Sequence, residues 1–166
     1  THSYGKEPMR RVRGSNHIRY EGGDLNLRLT TDVPVSFIMD ETPFLLEDPV
    51  NLLLGPDEPL ITPITETARE HYEKTLDYWR QWARFLSIPF EWQEAVLRAA
   101  ITLKLCTFEE SGAVIAAITT SIPEAPETER NWDYRFCWLR DAYFVVHALN
   151  RLGTTRTMED YLRYIA

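Results

Sequence analysis

The sequence predicts a mixed fold in which β-strands come first and α-helices follow. Leucines alternate with polar residues over residues 25–30, and from residue 68 onwards apolar residues recur every three or four positions. The first pattern is the period of a half-buried strand, and the second is the period of one helix face. The composition changes over residues 55–59 (GPDEP), so we expect the boundary between the two parts there.

The β part is predicted as a few short strands. Gly22 and Gly23 supply a turn, and the alternating segment DLNLRLTTDVPV follows them. Two further apolar runs, VSFIM (residues 35–39) and VNLLLG (residues 50–55), are strand candidates that prolines separate. Because two or three strands do not make a stable sandwich alone, we interpret this part as the end of a larger β domain.

The first predicted helix is amphipathic and begins with Pro63 at its first position. Its apolar stripe continues until Pro89, which we expect to end it. The second helix, about residues 90–107, is apolar around almost its whole circumference, so it requires surrounding protein. Gly112 is expected to stop this second helix.

The third predicted helix covers about residues 139–152, is again broadly apolar, and has Gly153 as its stop. Thr157 and Asp160 form an imperfect capping box that would start a fourth helix. The buried helices need partners that these residues do not supply. We therefore expect the sequence to be a fragment at both ends, taken from an array of helical hairpins.

Composition excludes several classes of protein. The chain has 44% apolar and 26% charged residues, which is typical of a soluble globular protein. Its net charge of -7 argues against a nucleic-acid partner, and we interpret the basic run MRRVRG (residues 9–14) as a solvated strand or loop. No stretch reaches the apolar length of a membrane span, so no membrane partner is expected.

The two cysteines are interpreted as reduced, buried side chains. Cys106 and Cys137 lie far apart in apolar segments, and neither CxxC nor HxxxH spacing occurs. We therefore expect no metal site. Reduced thiols favour a cytoplasmic location.

The segment ERNWDYRFCWLRDA (residues 129–142) combines aromatic residues with an adjacent Arg140 and Asp141 at the start of a helical pattern. A pyranose binds through aromatic faces on its C–H side and through bidentate charged groups on its hydroxyls. Asp141 would also meet the positive end of the helix dipole. The alternative is structural, because an aspartate at this position is a common cap and tryptophans at a helix entrance are often core residues.

Residues 129–153 (ERNWDYRFCWLRDAYFVVHALNRLG) closely resemble the signature of glycoside hydrolase family 15, the glucoamylase and bacterial trehalase group. Residues 94–124 resemble the segment that precedes this signature in bacterial members. The resemblance extends from about Tyr78 to Gly153, and before Tyr78 it concerns only the order of a β-sandwich, a linker helix and a barrel. Three positions depart from the family pattern: Ile118 replaces a usual proline, Phe136 a more common tyrosine, and Tyr143 a smaller residue.

The resemblance implies a domain organisation. Residues 1–58 would be the C-terminal part of a β-sandwich domain and residues 59–89 a linker helix. Residues 90–166 would form the first helices of an (α/α)6 glycosidase barrel. The active site of this family lies at one end of that barrel, among the loops that join its helices.

The resemblance also implies four substrate-binding residues. The family's Y-x-x-x-W-x-R-D arrangement, which lines the subsite for the terminal glucosyl unit, falls on Tyr134, Trp138, Arg140 and Asp141. Tyr134 would be a platform for the sugar ring and Trp138 a side wall, and the charge pair would bind the distal hydroxyls. Asn131, Trp132 and Asp133 are interpreted as shaping the loop.

Family members cleave terminal α-linked glucose with inversion, using one carboxylic acid and one carboxylate that activates water, roughly 6.5–9.5 Å apart. Both catalytic glutamates lie further along the barrel than this sequence reaches, so we assign no catalytic residue here. The resemblance implies no metal and no organic cofactor. We expect the chain alone to be inactive, with the rest of the polypeptide or barrel as its partner and an α-glucoside as substrate. Trehalose and maltooligosaccharides remain equal alternatives. The competing hypothesis is a non-catalytic carbohydrate-binding or structural helical module.

Overall fold

The computed structural model describes residues 6–166, in which strands precede helices as predicted. The elements are β1 (Arg10–Arg13), β2 (His17–Gly22), β3 (Leu25–Thr31), α1 (Val35–Met39), β4 (Leu52–Pro56), α2 (Ile64–Arg84), α3 (Gln93–Leu105), α4 (Leu139–Arg151) and α5 (Thr155–Ile165). The chain divides into two compact units, Thr1–Asp77 and Tyr78–Ala166. The predicted class, β followed by α, is confirmed.

The first unit is built on one antiparallel sheet with strand order β1-β2-β3-β4. Gly22 pairs with Leu25, so Gly23, which has a φ of +54°, lies in the tight turn between β2 and β3. A positive φ is accessible to glycine at little cost, which is why this turn forms here.

The basic run forms β1, where Arg10 lies opposite Glu21 with an ion pair of 3.8 Å, so its interpretation as a solvated strand is confirmed.

The strand β3 is confirmed, but its buried face differs from the predicted leucine face. Leu25 is exposed, whereas Thr30 and Thr31 are buried. The reason is the pairing: the residues from Leu27 onwards lie between β2 and β4, while Leu25 pairs with β2. The side chains of β3 therefore become more buried towards its C-terminal end, and burial does not alternate between the two faces of the strand. Ile18 on β2 is fully buried.

The segment VSFIM is not a strand. It forms the short helix α1, which follows Pro34, and the Phe37 N–H donates to the Pro34 carbonyl at 2.9 Å. A run of five apolar residues carries no usable period, and a preceding proline with its fixed φ favours a helical turn. The other candidate, VNLLLG, was predicted correctly and forms β4.

The long helix α2 follows Pro63 as predicted but ends at Arg84, before Pro89. Its final turn tightens, because the Phe85 N–H donates to the Trp82 carbonyl and the Leu86 N–H to the Ala83 carbonyl. Leu86 then enters the core of the second unit, where it packs with Ala100 of α3 and Leu149 of α4. The proline is thus not the residue that ends the helix.

Helix α3 ends at Leu105 with Cys106 as its C-cap, so the prediction that Gly112 stops it is wrong. Gly112 lies in the turn after the helix and has a φ of +82°. Ala100 is the buried residue of α3, while Leu105 is half exposed. The described residues therefore do not surround this helix, and its complete burial stays a prediction.

Helix α4 matches its prediction closely, and Gly153, with a φ of +91°, follows its end. The start predicted for the fourth helix is wrong, because α5 begins at Thr155. Asp160 does not cap it but accepts a hydrogen bond of 3.0 Å from Arg163 on the same helix. Asp160 and Arg163 lie about one turn apart on α5, so this pair supplies the carboxylate with a hydrogen-bond donor without a capping box. A core cluster joins α4 and α5 to the segment that follows α3: Val114, Ala142, Val146 and Tyr161.

Candidate functional site

The candidate site begins with a short antiparallel pairing between residues 116–119 and 134–136. The Ala117 N–H donates to the Tyr134 carbonyl at 3.0 Å, and the Tyr134 N–H donates to the Thr119 carbonyl at 3.1 Å. The Ala116 N–H donates to the Phe136 carbonyl at 3.0 Å. These bonds hold the main chain of Tyr134 on both sides and close the base of the loop between the two segments.

This pairing is anchored in the core at one end of each segment. Val114, which is 1% exposed, lies two residues before the first segment and belongs to the cluster with Ala142 and Val146. Cys137 follows the second segment and packs against the same cluster. Because both paired segments are joined to one packed core, the base of the loop has a defined position relative to the start of α4.

The structure brings two of the predicted site residues together as an aromatic pair. The ring centroids of Tyr134 and Trp138 are 6.0 Å apart, with an angle of 50° between the ring planes. Trp138 is the N-cap residue of α4, with extended backbone angles, and remains 43% exposed. The pair therefore offers aromatic surface to solvent at the entrance of the helix.

The other two predicted residues form an ion pair in the first turn of α4. Arg140 Nη2 lies 3.2 Å from Asp141 Oδ2. The Arg140 side chain is 81% exposed, and that of Asp141 is 35% exposed. Trp138 is the N-cap of α4, and Asp141 lies in its first turn. The aromatic pair and the ion pair thus share one end of α4.

The structure brings the four predicted residues together as two pairs, and none of the four is fully buried. Arg and Asp together provide rigid donors and paired acceptors that bind vicinal hydroxyls, and they lie beside an aromatic surface suited to C–H groups. Asp141 also lies in the first turn of α4, near the positive end of the helix dipole. The geometry is compatible with an open sugar-binding surface.

Neighbouring loop residues make contacts within the loop itself. Trp132 Nε1 donates to Glu124 Oε1 at 2.8 Å, and Arg130 lies 4.0 Å from the same carboxylate. Asp133 accepts hydrogen bonds from the backbone and the guanidinium of Arg135 at 2.9–3.0 Å. Such contacts are those of loop-shaping residues, the role predicted for Trp132 and Asp133.

A second polar cluster was not predicted from the sequence. Tyr78 of α2 and Lys104 of α3 both donate to the carboxylate of Glu109. These two hydrogen bonds, from Lys104 first, lower the pKa of Glu109, while burial and then the bond to Glu109 raise the pKa of Tyr78. Tyr78 lies 31 residues before Glu109, so no local pattern signals that it joins the cluster.

This cluster lines a cavity of about 410 Å³ together with Trp82 of α2, Phe85 just after α2, and the residues at the start of α5. The charged groups on this wall already have partners, which is typical of a structural network.

Within residues 6–166 no group of three or more potential metal ligands occurs, and both cysteines are free thiols. Burial raises the pKa of Cys106. Over the same residues, no helix is both long and apolar enough to cross a membrane.

Comparison with known sequences gives one family-model match. The model for glycosyl hydrolases family 15 matches residues 91–165, a range that contains all four predicted site residues. The predicted resemblance to family 15 is confirmed. The family 15 range also contains the segment that pairs with Tyr134 and helices α3 to α5.

Several curated family relatives carry the name trehalase. Those of Mycolicibacterium smegmatis and Mycobacterium tuberculosis are 43% and 41% identical over 102 residues, which is 61% of this chain and 15% of each relative. That of Thermoplasma volcanium is 42% identical over 90 residues, 54% of this chain and 14% of the relative. The chain thus spans about one seventh of the length of these relatives. No solved structure matches.

Proposed function

We propose that this chain carries the binding surface for the terminal glucosyl unit in a glycoside hydrolase that acts on trehalose. The observation that carries the proposal is the placement of the Tyr134–Trp138 pair beside the Arg140–Asp141 ion pair at the start of α4, inside the family 15 range. The name shared by the relatives favours trehalose over maltooligosaccharides.

Each of the four residues has a proposed role in binding. Tyr134 supports the apolar face of the glucose ring, and Trp138 forms the adjacent side wall. Arg140 donates to the distal hydroxyls through its planar fork, while Asp141 accepts from them. Their grip on hydroxyls at the far end of the ring selects a chain-terminal sugar, so the proposed action is exo.

The proposed chemistry is hydrolysis with inversion by two carboxyl groups, one protonating the leaving oxygen and the other activating water. No residue of this chain is assigned to that pair, and we propose that the chain alone does not hydrolyse glycosides. The proposal includes the predicted organisation: a partial β-sandwich in residues 1–58, a linker helix in residues 59–89, and barrel helices in residues 90–166.

The proposal is tested by assaying the full-length protein on trehalose, maltose and isomaltose. The expected result is highest kcat/KM on trehalose. Inversion at one anomeric carbon releases one β-glucose and one α-glucose from each trehalose, and proton NMR of the first turnovers distinguishes them. Activity on maltose alone would move the assignment to a glucoamylase, and sugar binding without hydrolysis would support the non-catalytic module.

The site assignment is tested with Arg140→Ala in the same protein. We expect a loss of about 2–4 kcal/mol in transition-state binding, because the sugar and Asp141 both lose a charged donor. Arg151→Ala is the matched control, since Arg151 is an exposed arginine in the last turn of the same helix. Equal kcat/KM in the two variants would show that Arg140 does not bind the substrate.

A further inference from the structure

We infer that two backbone groups on a neighbouring segment, the Ala117 N–H and the Thr119 C=O, position the aromatic surface of the sugar site. We call these two groups the backbone clamp. This inference rests on the proposed function for its substrate, but the geometry of the clamp is independent of it. Ala117 and Thr119 are positioning residues, because they act through Tyr134 and not on the sugar.

The clamp engages both backbone polar groups of one residue, Tyr134. The Tyr134 carbonyl accepts from the Ala117 N–H at 3.0 Å, and the Tyr134 N–H donates to the Thr119 carbonyl at 3.1 Å. With donor and acceptor both engaged, rotation of the main chain at Tyr134 would break at least one bond. The ring direction follows the main chain, so the clamp also determines where the ring meets Trp138.

The clamp is needed because the loop around it supplies little packing. Residues 121–130 are all exposed, and Tyr134 itself is only half-buried. A ring that packs on one side against another exposed ring, 6.0 Å away, is not fixed by core contacts. Val114 lies shortly before the clamp residues and packs in the core with α4 and α5. This contact fixes the start of the clamp segment relative to those helices.

Neighbouring proline substitutions separate the clamp from general effects on the loop. Ala117→Pro removes the N–H that donates to Tyr134. Ile118→Pro introduces the same ring one residue later, where neither clamp group belongs to the substituted residue, and it favours extended backbone at residue 117. Ala117→Ser keeps the N–H and changes only a small side chain, so it is the conservative rescue.

The experiment uses the full-length protein with 5-fluorotryptophan, the Trp138 fluorine signal being identified through Trp138→Phe. We expect Ala117→Pro to shift the Trp138 signal and to weaken glucose binding about tenfold by calorimetry, the size expected for one lost hydrogen bond with loosened positioning. Ile118→Pro and Ala117→Ser are expected to stay within about twofold of the wild type, with unchanged fluorine spectra.

The inference is overturned if Ala117→Pro leaves the Trp138 signal unchanged, or if Ile118→Pro perturbs it equally. A wild type that does not bind glucose would refute the proposed function, while the fluorine comparison would still decide the clamp. Hydrogen–deuterium exchange of the wild type provides a test that needs no variant. The amide of Tyr134 should be protected relative to those of residues 125–130, and equal exchange would also overturn the clamp.

Discussion

Gly112→Ala is expected to destabilise the helical unit strongly. The φ of Gly112 is +82°, and an added Cβ would overlap the backbone oxygen of Asp160 and lie 2.6 Å from its carbonyl carbon. The neighbouring atoms are the backbone of α5 and not a flexible side-chain end. The turn after α3 therefore has to separate from α5 to accommodate a methyl group.

Two terms make up the expected loss in the free energy of unfolding. Placing alanine at a left-handed φ costs about 1–2 kcal/mol. Forcing a methyl group into a packed contact costs about 1–3 kcal/mol more. Gly153→Ala isolates the first term, because Gly153 has a φ of +91° but its added Cβ would meet its nearest neighbour, Ser87 Oγ, at an ordinary 3.4 Å.

Urea unfolding followed by tryptophan fluorescence measures both variants. All five tryptophans lie between residues 79 and 138, within the second unit, so the signal reports on that unit. We expect a loss of about 3 kcal/mol for Gly112→Ala and about 1–2 kcal/mol for Gly153→Ala. Equal losses in the two variants would refute the close approach of the turn to α5.

Three further predictions concern the same unit. The Glu109→Gln variant should lose stability less steeply in acid than the wild type in pH titrations. Hydrogen bonds from Lys104 and Tyr78 lower the pKa of Glu109, so its stabilisation is present above its ordinary pKa of 4.5 and is lost as the pH falls through the lower folded value. Thr154→Val should raise the free energy of unfolding by about 1 kcal/mol, because Thr154 Oγ1 is buried without a hydrogen-bond partner among the described residues. Leu149→Ala should lower it by about 3 kcal/mol in urea unfolding, because Leu149 is fully buried between helices.

The sequence predicted the elements that carry a long, regular period. Helix α4 was placed within one residue, because its apolar pattern is long and Gly153 follows it. Helix α1 was mistaken for a strand because five apolar residues after Pro34 fit either structure. The start of α5 was misplaced because threonine occurs at residues 154, 155 and 157, and each is an acceptable cap.

The candidate site was predictable where its residues are close in sequence. Tyr134 and Trp138 are four residues apart and Arg140 adjoins Asp141, so one motif contained both contacts that the structure shows. The backbone clamp was not predictable, because it joins segments separated by an exposed loop through main-chain atoms that any residue possesses. The hydrogen bond from Tyr78 to Glu109 was missed for the same reason of distance along the chain.

The pairing at the base of the loop also bears on how such proteins diversify. It fixes the two ends of the segment 120–133, whose central residues are all exposed. Insertions, deletions and substitutions at the tip are therefore tolerated without displacing the aromatic rings. In homologues the tip can therefore vary in length and composition while the main chain of Tyr134 stays paired with the neighbouring segment.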